Sequence, residues 1–457
     1  MNSKLSVLVA ASCLIASITA HAQTATLLTT FTNPTPLLED KFGSRLCAVG
    51  SDKVLIGAYS DDTVGADTGA AYLFSTNGTL LVTFTNSTDE ADSFGASVTT
   101  VGSDKVLIGA PDFNISSGTV YLFSTNGTKL FTFTNPTPQI ADSFGAAIVA
   151  VGTDKVLISA PGDAGVGAAH LFSTNGTKLL TFSNPTPQSG DSFGNAVAAV
   201  GSDKVLIGAF SDNTGAANAG SVYLFSTNGT LLRTFTNPTP VVDEGFGRAI
   251  AALEPDRVVI NSPEDSTAGQ FAGAVYVFGT NGTLLTTITN PMPQVSVSFG
   301  ISLAVVGSDK LLIGTPFDDR GANSAGVAYL FSANGTLLTT ITNPAPAFDD
   351  EFGISVAAVG SDKVLIGAFF DDTGDTDAGA AYLFNLETSS SSPSPVLTIV
   401  RTAPKQISIS WSPNTAGFVL QETLSLTPTN WGNSPSGATN PVVIPATSPM
   451  KSYRLSK

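Results

Sequence analysis

Between residues 26 and 385 the apolar positions fall into short runs with no helical period. From Ser93 to Thr134, the runs Val106-Leu107-Ile108 and Val120-Tyr121-Leu122-Phe123 are continuously apolar, as strands buried on both faces are. A mixed run from Phe94 to Val101 precedes them. Leu130 to Thr134 follows and alternates with threonine, which suits an outer strand with one wet face. Gly-Ser-Asp, a polar loop and Asn126-Gly127 separate the four runs. The pattern predicts four strands, A to D.

This unit recurs seven times, marked by a Phe-Gly pair at Phe42, Phe94, Phe144, Phe193, Phe246, Phe299 and Phe352, at intervals of 52, 50, 49, 53, 53 and 53 residues. A fixed period of that size with strand content predicts an all-β fold, a seven-bladed β-propeller. The seventh unit passes from Phe384 into a serine run without a strand D, while residues 26–36 nearly copy residues 336–346. The N-terminal strand is therefore expected to complete the last blade and close the ring, leaving no bare sheet edge. Asn-Gly joins strands C and D in six units, at Asn77, Asn126, Asn175, Asn228, Asn281 and Asn334. It predicts type I′ hairpins, whose two central residues both need positive φ. The same sites read Asn-Gly-Thr, a glycosylation acceptor pattern, and the turn is the preferred reading.

Composition then sets the compartment. Residues 1–22 read as a secretory signal: Lys4, an apolar stretch from Leu5 to Ile18, and Ala20-His21-Ala22 before the cut. No later segment approaches the roughly 18 apolar residues of a membrane span. Without the signal Cys47 is the one cysteine left, so no intrachain disulfide can form, and a buried inert thiol is expected. The expected domains are 23–385 for the propeller, 386–396 for a Ser/Pro linker and 397–457 for a small β-sandwich-like domain. In the last, Ile407, Ile409 and Trp411 alternate as a half-buried strand does, and both Trp411 and Trp431 are expected in the core, with a sugar-stacking platform as the alternative for Trp431.

The Phe-Gly pairs, with Gly109-Ala110-Pro111 and its variants such as Ser159-Ala160-Pro161 and Gly367-Ala368-Phe369, resemble the FG-GAP repeats of integrin α-like propellers. The C-terminal Ser-Trp-Ser-Pro element and Tyr-Arg-Leu strand resemble a shortened fibronectin type III-like module. The first resemblance implies extracellular recognition or adhesion. It also implies Ca²⁺ in the A–B loops, but those loops are cut to Gly-Ser-Asp-Lys or its equivalents. One carboxylate cannot supply the six to eight oxygens Ca²⁺ takes, so Asp52, Asp104 and their counterparts are read as turn formers.

Charge adds one candidate site. Of 36 acidic residues, 26 fall in the B–C and D–A loops, which share one face of a propeller, and the formal net charge is −16. That placement predicts an anionic face. Its densest part is Asp371, Asp372, Asp375 and Asp377 in unit 7, with Asp61, Asp62 and Asp67 of unit 1 beside them once the ring closes. Carboxylates clustered around a glycine suit a hard cation such as Ca²⁺. Nucleic acid is the wrong partner for this sign.

Catalytic chemistry is sparse. After the signal the chain has one histidine, His170, at a strand C position where other units carry tyrosine. A Ser-His-Asp triad or a zinc site is therefore not expected. The expected function is an exported, monomeric, non-catalytic binding or adhesion module, secreted or at the cell surface, that meets an extracellular protein or glycan through its acidic face. The alternative is a polysaccharide-active enzyme using carboxylates on that face.

Overall fold

The computed structural model describes residues 23–86, 92–112, 117–253, 255–388, 396–403, 406–412, 418–424, 430–445 and 451–456. The expected signal at 1–22 and most of the expected linker lie outside the described residues. Contacts divide the chain into two compact units after Glu387.

The larger unit is built from seven four-stranded sheets among the described residues, each with its strands in the order A-B-C-D. Sheet 1 comprises Phe42–Val49, Lys53–Ala58, Ala70–Ser75 and Leu80–Phe84. Sheet 7 comprises Ser355–Val359, Lys363–Ala368 and Ala380–Thr388, and its fourth strand is the N-terminal Gln23–Thr32. Strands B and C are buried almost throughout; in strands D little beyond the penultimate residue, such as Phe133, is buried.

The core is a set of layers between sheets. One layer joins Phe42, Ile56, Tyr72 and Phe74 of sheet 1 to Val359, Leu365 and Leu383 of sheet 7, with Phe31 of the N-terminal strand. Each of the other six layers likewise spans two successive sheets. The strand A of every sheet touches the next, and that of sheet 7 touches that of sheet 1. The apolar B and C runs thus have a wet face nowhere.

Glycine is required where sheets meet. Gly43 of the first Phe-Gly pair sits at φ +91, and a Cβ there would overlap the carbonyl of Ala380 in sheet 7. In units 2 to 7 the Phe-Gly pair lies ahead of strand A, which begins later, at Ser97 in unit 2.

The hairpins between strands C and D differ from the expected type. Gly78 N–H donates to Ser75 O at 3.0 Å and Ser75 N–H to Thr79 O at 2.9 Å, enclosing three residues, and Gly78 alone of the Asn-Gly pair has positive φ. This is a type I turn closed by a left-handed glycine, with the register shift that turn brings at Leu73/Phe74. The reason is local: the Asn77 side chain accepts from Thr79 N–H and Ser75 Oγ, holding asparagine right-handed.

In the smaller unit two three-stranded sheets, one led by Val396–Ala403 and Gln406–Ser412, the other by Val419–Thr423, share a core of Ile409, Trp411 and Leu420. Trp411 is buried as expected. Trp431 is not in that core: it is half-buried, with the Arg454 guanidinium 4.6 Å over its ring.

Candidate functional site: the B–C and D–A loops

Each strand D of units 2 to 6, and the N-terminal strand, is followed by Asn-Pro, and the asparagine organises the loop that follows. Asn33 Oδ1 accepts Thr35 N–H at 3.0 Å, while its Nδ2 donates to Asp40 Oδ2 at 2.7 Å. Asp40 also accepts Leu37 N–H at 2.6 Å, closing the loop on itself. The same pairing, at 2.7 Å each, joins Asn135 to Asp142, Asn184 to Asp191, Asn237 to Glu244 and Asn343 to Asp350. Asn86 and Asp92 pair likewise.

A second carboxylate comes from the B–C loop of the next sheet. Tyr72 of strand C donates its hydroxyl to Asp61 at 2.6 Å, and Thr63 N–H reaches the same side chain at 2.8 Å. Tyr223 with Asp212, Tyr276 with Asp265 and Tyr382 with Asp371 repeat the bond at 2.6, 2.5 and 2.5 Å. Asn33 Nδ2 also reaches Asp61 at 2.9 Å, so one amide from sheet 7 ties two carboxyls at the edge of sheet 1. Tyr382→Phe, leaving the buried Asp371 short of one donor, is expected to cost about 1–3 kcal/mol of stability in denaturant unfolding.

These bonds change the meaning of the charge. Asp61, Asp112, Asp163, Asp212, Asp265, Asp318 and Asp371 are all buried, and so are Asp40, Asp142, Asp191, Glu244 and Asp350. Much of the acidic face expected from sequence is therefore internal framework between sheets. A loop carboxyl counts as surface charge only if no neighbour encloses it, and here the neighbouring sheet does.

Three units depart from the pattern, each with a compensation. In unit 3 His170 replaces tyrosine, 1 % exposed, with Nδ1 3.1 Å from Thr181 Oγ1 and Nε2 3.5 Å from Asp163. Burial lowers its pKa to about 4, against the pull of Asp163. It packs on Phe144, as a substituted packing residue would. In unit 6 the D–A carboxyl is absent, with Val297 seven residues after Asn290, and Asn290 Nδ2 is left without a partner. There Arg320, where other units carry Thr63 or Thr373, clamps the buried Asp318 at 2.9 and 2.8 Å.

The third departure bears on the cation site. Lys41 is buried, its ammonium 3.7 Å from the centre of the Phe370 ring and 5.9 Å from that of Phe369. Burial lowers its pKa, and Asp377, Glu39 and Glu351 push it back up. The acidic cluster of unit 7 thus already faces an ammonium from unit 1. The seven candidate ligands are otherwise dispersed: Asp371 and Asp61 are taken by tyrosines, Asp372 Oδ1 accepts Asp377 N–H, Asp375 Oδ1 accepts Thr376 N–H, and Asp62 Oδ1 accepts Asp67 N–H. Among the described residues no three His, Cys, Asp or Glu side chains gather as a metal site would. The cause is the one above, since the best-placed carboxylates are consumed by the framework.

What the loops present outward was missed in the sequence. The fifth residue after the Asn of each D–A loop is a large, exposed apolar side chain in five units: Leu38, Ile140, Val242, Val295 and Phe348, at 60, 74, 54, 66 and 70 % exposure. Exposed acids follow three of them, at Glu39, Asp243 and Asp349. Aligning the repeats position by position would have revealed these tips, because loops seldom repeat a large apolar residue without use.

Neither of two cavities among the described residues pairs carboxylates as a glycosidase would. The cavity of ≈ 290 Å³ between Asp256 and Leu285 and that of ≈ 210 Å³ beside His170 are each lined by one. Cys47 is half-buried against the layer between sheets 1 and 2, and desolvation pushes its thiol up to about 12. Among the described residues no helix is long and apolar enough to cross a membrane.

A comparison with curated proteins finds no match. The sequence profile of the FG-GAP repeat matches residues 37–74, 186–225 and 337–384, in units 1, 4 and 7. The chain thus carries FG-GAP repeats in these three places, and its seven four-stranded sheets fit an FG-GAP β-propeller.

Proposed function

We propose that this protein is an exported, non-catalytic binding module that recognises an extracellular protein or glycan through the outward tips of its D–A loops. The observation that carries this reading is the recurrence of one exposed apolar position in five units, with acids beside three of the tips. Buried framework residues hold the tips in place, so little ordering entropy remains to be lost on binding. Export rests on the signal at residues 1–22, and recognition is the usual work of FG-GAP propellers.

The test is a protein and glycan array probed with the full chain and with Leu38, Ile140, Val242, Val295 and Phe348 all changed to serine. Loss of apolar anchors of this kind is expected to weaken binding by about tenfold or more. A variant that binds like the wild type would sink the reading. The array is run with Ca²⁺ and with chelator, and a Ca²⁺ requirement would bring the exposed Asp372 and Asp375 into the interface. Release of reducing ends from polysaccharide would favour an enzyme instead.

A further inference from the structure

The six seams that hold paired carboxyls share a feature that plain hydrogen bonding leaves unanswered. Each pair brings the acid of a D–A loop beside the acid of the B–C loop that follows it, at Asp40–Asp61, Asp92–Asp112, Asp142–Asp163, Asp191–Asp212, Glu244–Asp265 and Asp350–Asp371, every member buried except the half-buried Asp92. In three of them one oxygen is enclosed with no partner: Asp92 Oδ1, Asp191 Oδ1 and Asp350 Oδ1. The charged groups bearing on the D–A members are the B–C partners, with Asp62 added at Asp40 and Asp372 at Asp350. At Asp61, Asp212, Asp265 and Asp371 a tyrosine donates to the B–C partner and supplies no charge, while at Asp163 the His170 imidazole stands 3.5 Å away. The seam that lost its D–A acid, at Val297, is the one that gained a cation, Arg320.

We propose that these seams are locked by protons, so that the ring tightens and its recognition loops are held more firmly as the medium turns from neutral to mildly acidic. A carboxyl with an enclosed, unpartnered oxygen beside another carboxylate is desolvated and repelled when ionised, and a proton removes both penalties. Unit 6 achieves by Arg320 what the other seams achieve by protonation. The loops concerned are those that carry the tips: Leu38, Ile140, Val242 and Phe348 each stand two residues before a seam carboxyl. The regulatory role therefore rests on the binding reading above, while the proton lock does not.

Burial raises Asp40, Asp92 and Asp350 to about 6 and raises Asp142, Asp191 and Glu244 as well, with the neighbouring acid adding to the rise. A carboxyl raised in the folded state contributes stability that is complete below its unfolded value near 4 and lost as pH rises through about 6. Stability is thus expected to climb as pH falls from 7.5 to 5, opposite in sign to ordinary acid denaturation.

The experiment is thermal melting of the full chain from pH 8 to pH 5 in 0.5 M NaCl, with potentiometric titration of folded against unfolded protein and no partner present. High salt screens repulsion among exposed acids and leaves buried pairs largely unscreened. The melting temperature is expected to rise as pH falls, and folding to take up about 1.5 protons at pH 6 through Asp40, Asp92 and Asp350, each half-protonated there, and more toward pH 5. Asp40→Asn with Asp350→Asn, which places a neutral amide in the same space, should raise the melting temperature at pH 7.5 and flatten the slope. Val297→Asp with Arg320→Thr should steepen it by converting the proton-free seam into a titrating one. A slope that is flat or reversed in high salt, or a wild-type slope in the Asn variant, overturns the proton lock. Array binding that fails while the slope holds would remove only the recognition role.

Discussion

Deleting residues 23–36 is expected to abolish the cooperative melt of the larger unit or to drive it into aggregates at room temperature. The segment supplies the fourth strand of sheet 7 beside Ala380–Thr388. It buries Phe31 in the layer between sheets 7 and 1 and carries Asn33, whose amide ties Asp40 to Asp61. Loss of a buried phenylalanine alone costs about 3–5 kcal/mol, and a domain has about 5–15 kcal/mol in total. The deletion also bares a strand edge, which templates association. Calorimetry and light scattering on the truncated chain decide the matter. A melt like that of the full chain would show that the N-terminal strand does not close sheet 7 in solution.

The second large effect is expected at Gly43. Gly43→Ala should destabilise by about 3 kcal/mol or more, while Gly190→Ala should cost about 1–2 kcal/mol. Both glycines sit near φ +90, so alanine meets the same backbone penalty at each. At Gly190 nothing lies within 4 Å of the added Cβ, whereas at Gly43 the Ala380 carbonyl stands in its way. The difference between the two variants, read from denaturant midpoints with unchanged slope, isolates the close approach of sheets 7 and 1. Equal losses would mean that the Phe-Gly glycine serves its own turn and not the seam.

The candidate site was less legible than the fold. Asp40 and its partner amide are seven residues apart, and an Asn-Pro ending followed by a fixed acid could have been read as a closed loop. Asp61 and Tyr72 are eleven apart, yet the hydroxyl meets the carboxylate only because strands B and C pair Ile56 with Tyr72. The Lys41–Phe370 contact joins units 1 and 7, which are far apart in the chain, and no local pattern records it. The apolar tips were visible in principle, but acidic residues around them suggested a uniformly charged face.

The sequence by itself determined the period, the four strands of each unit, which strands are buried on both faces, and the strand that the seventh unit borrows from the N-terminus. All of these follow from short-range alternation and from residues such as glycine that only a few backbone states need. Tertiary structure alone decided which carboxyls are charge and which are framework. Burial of a side chain is set by what the neighbouring sheet brings against it. The hydrogen-bond donors and the ammonium that answer these acids come from other strands, at sequence distances the local pattern does not encode.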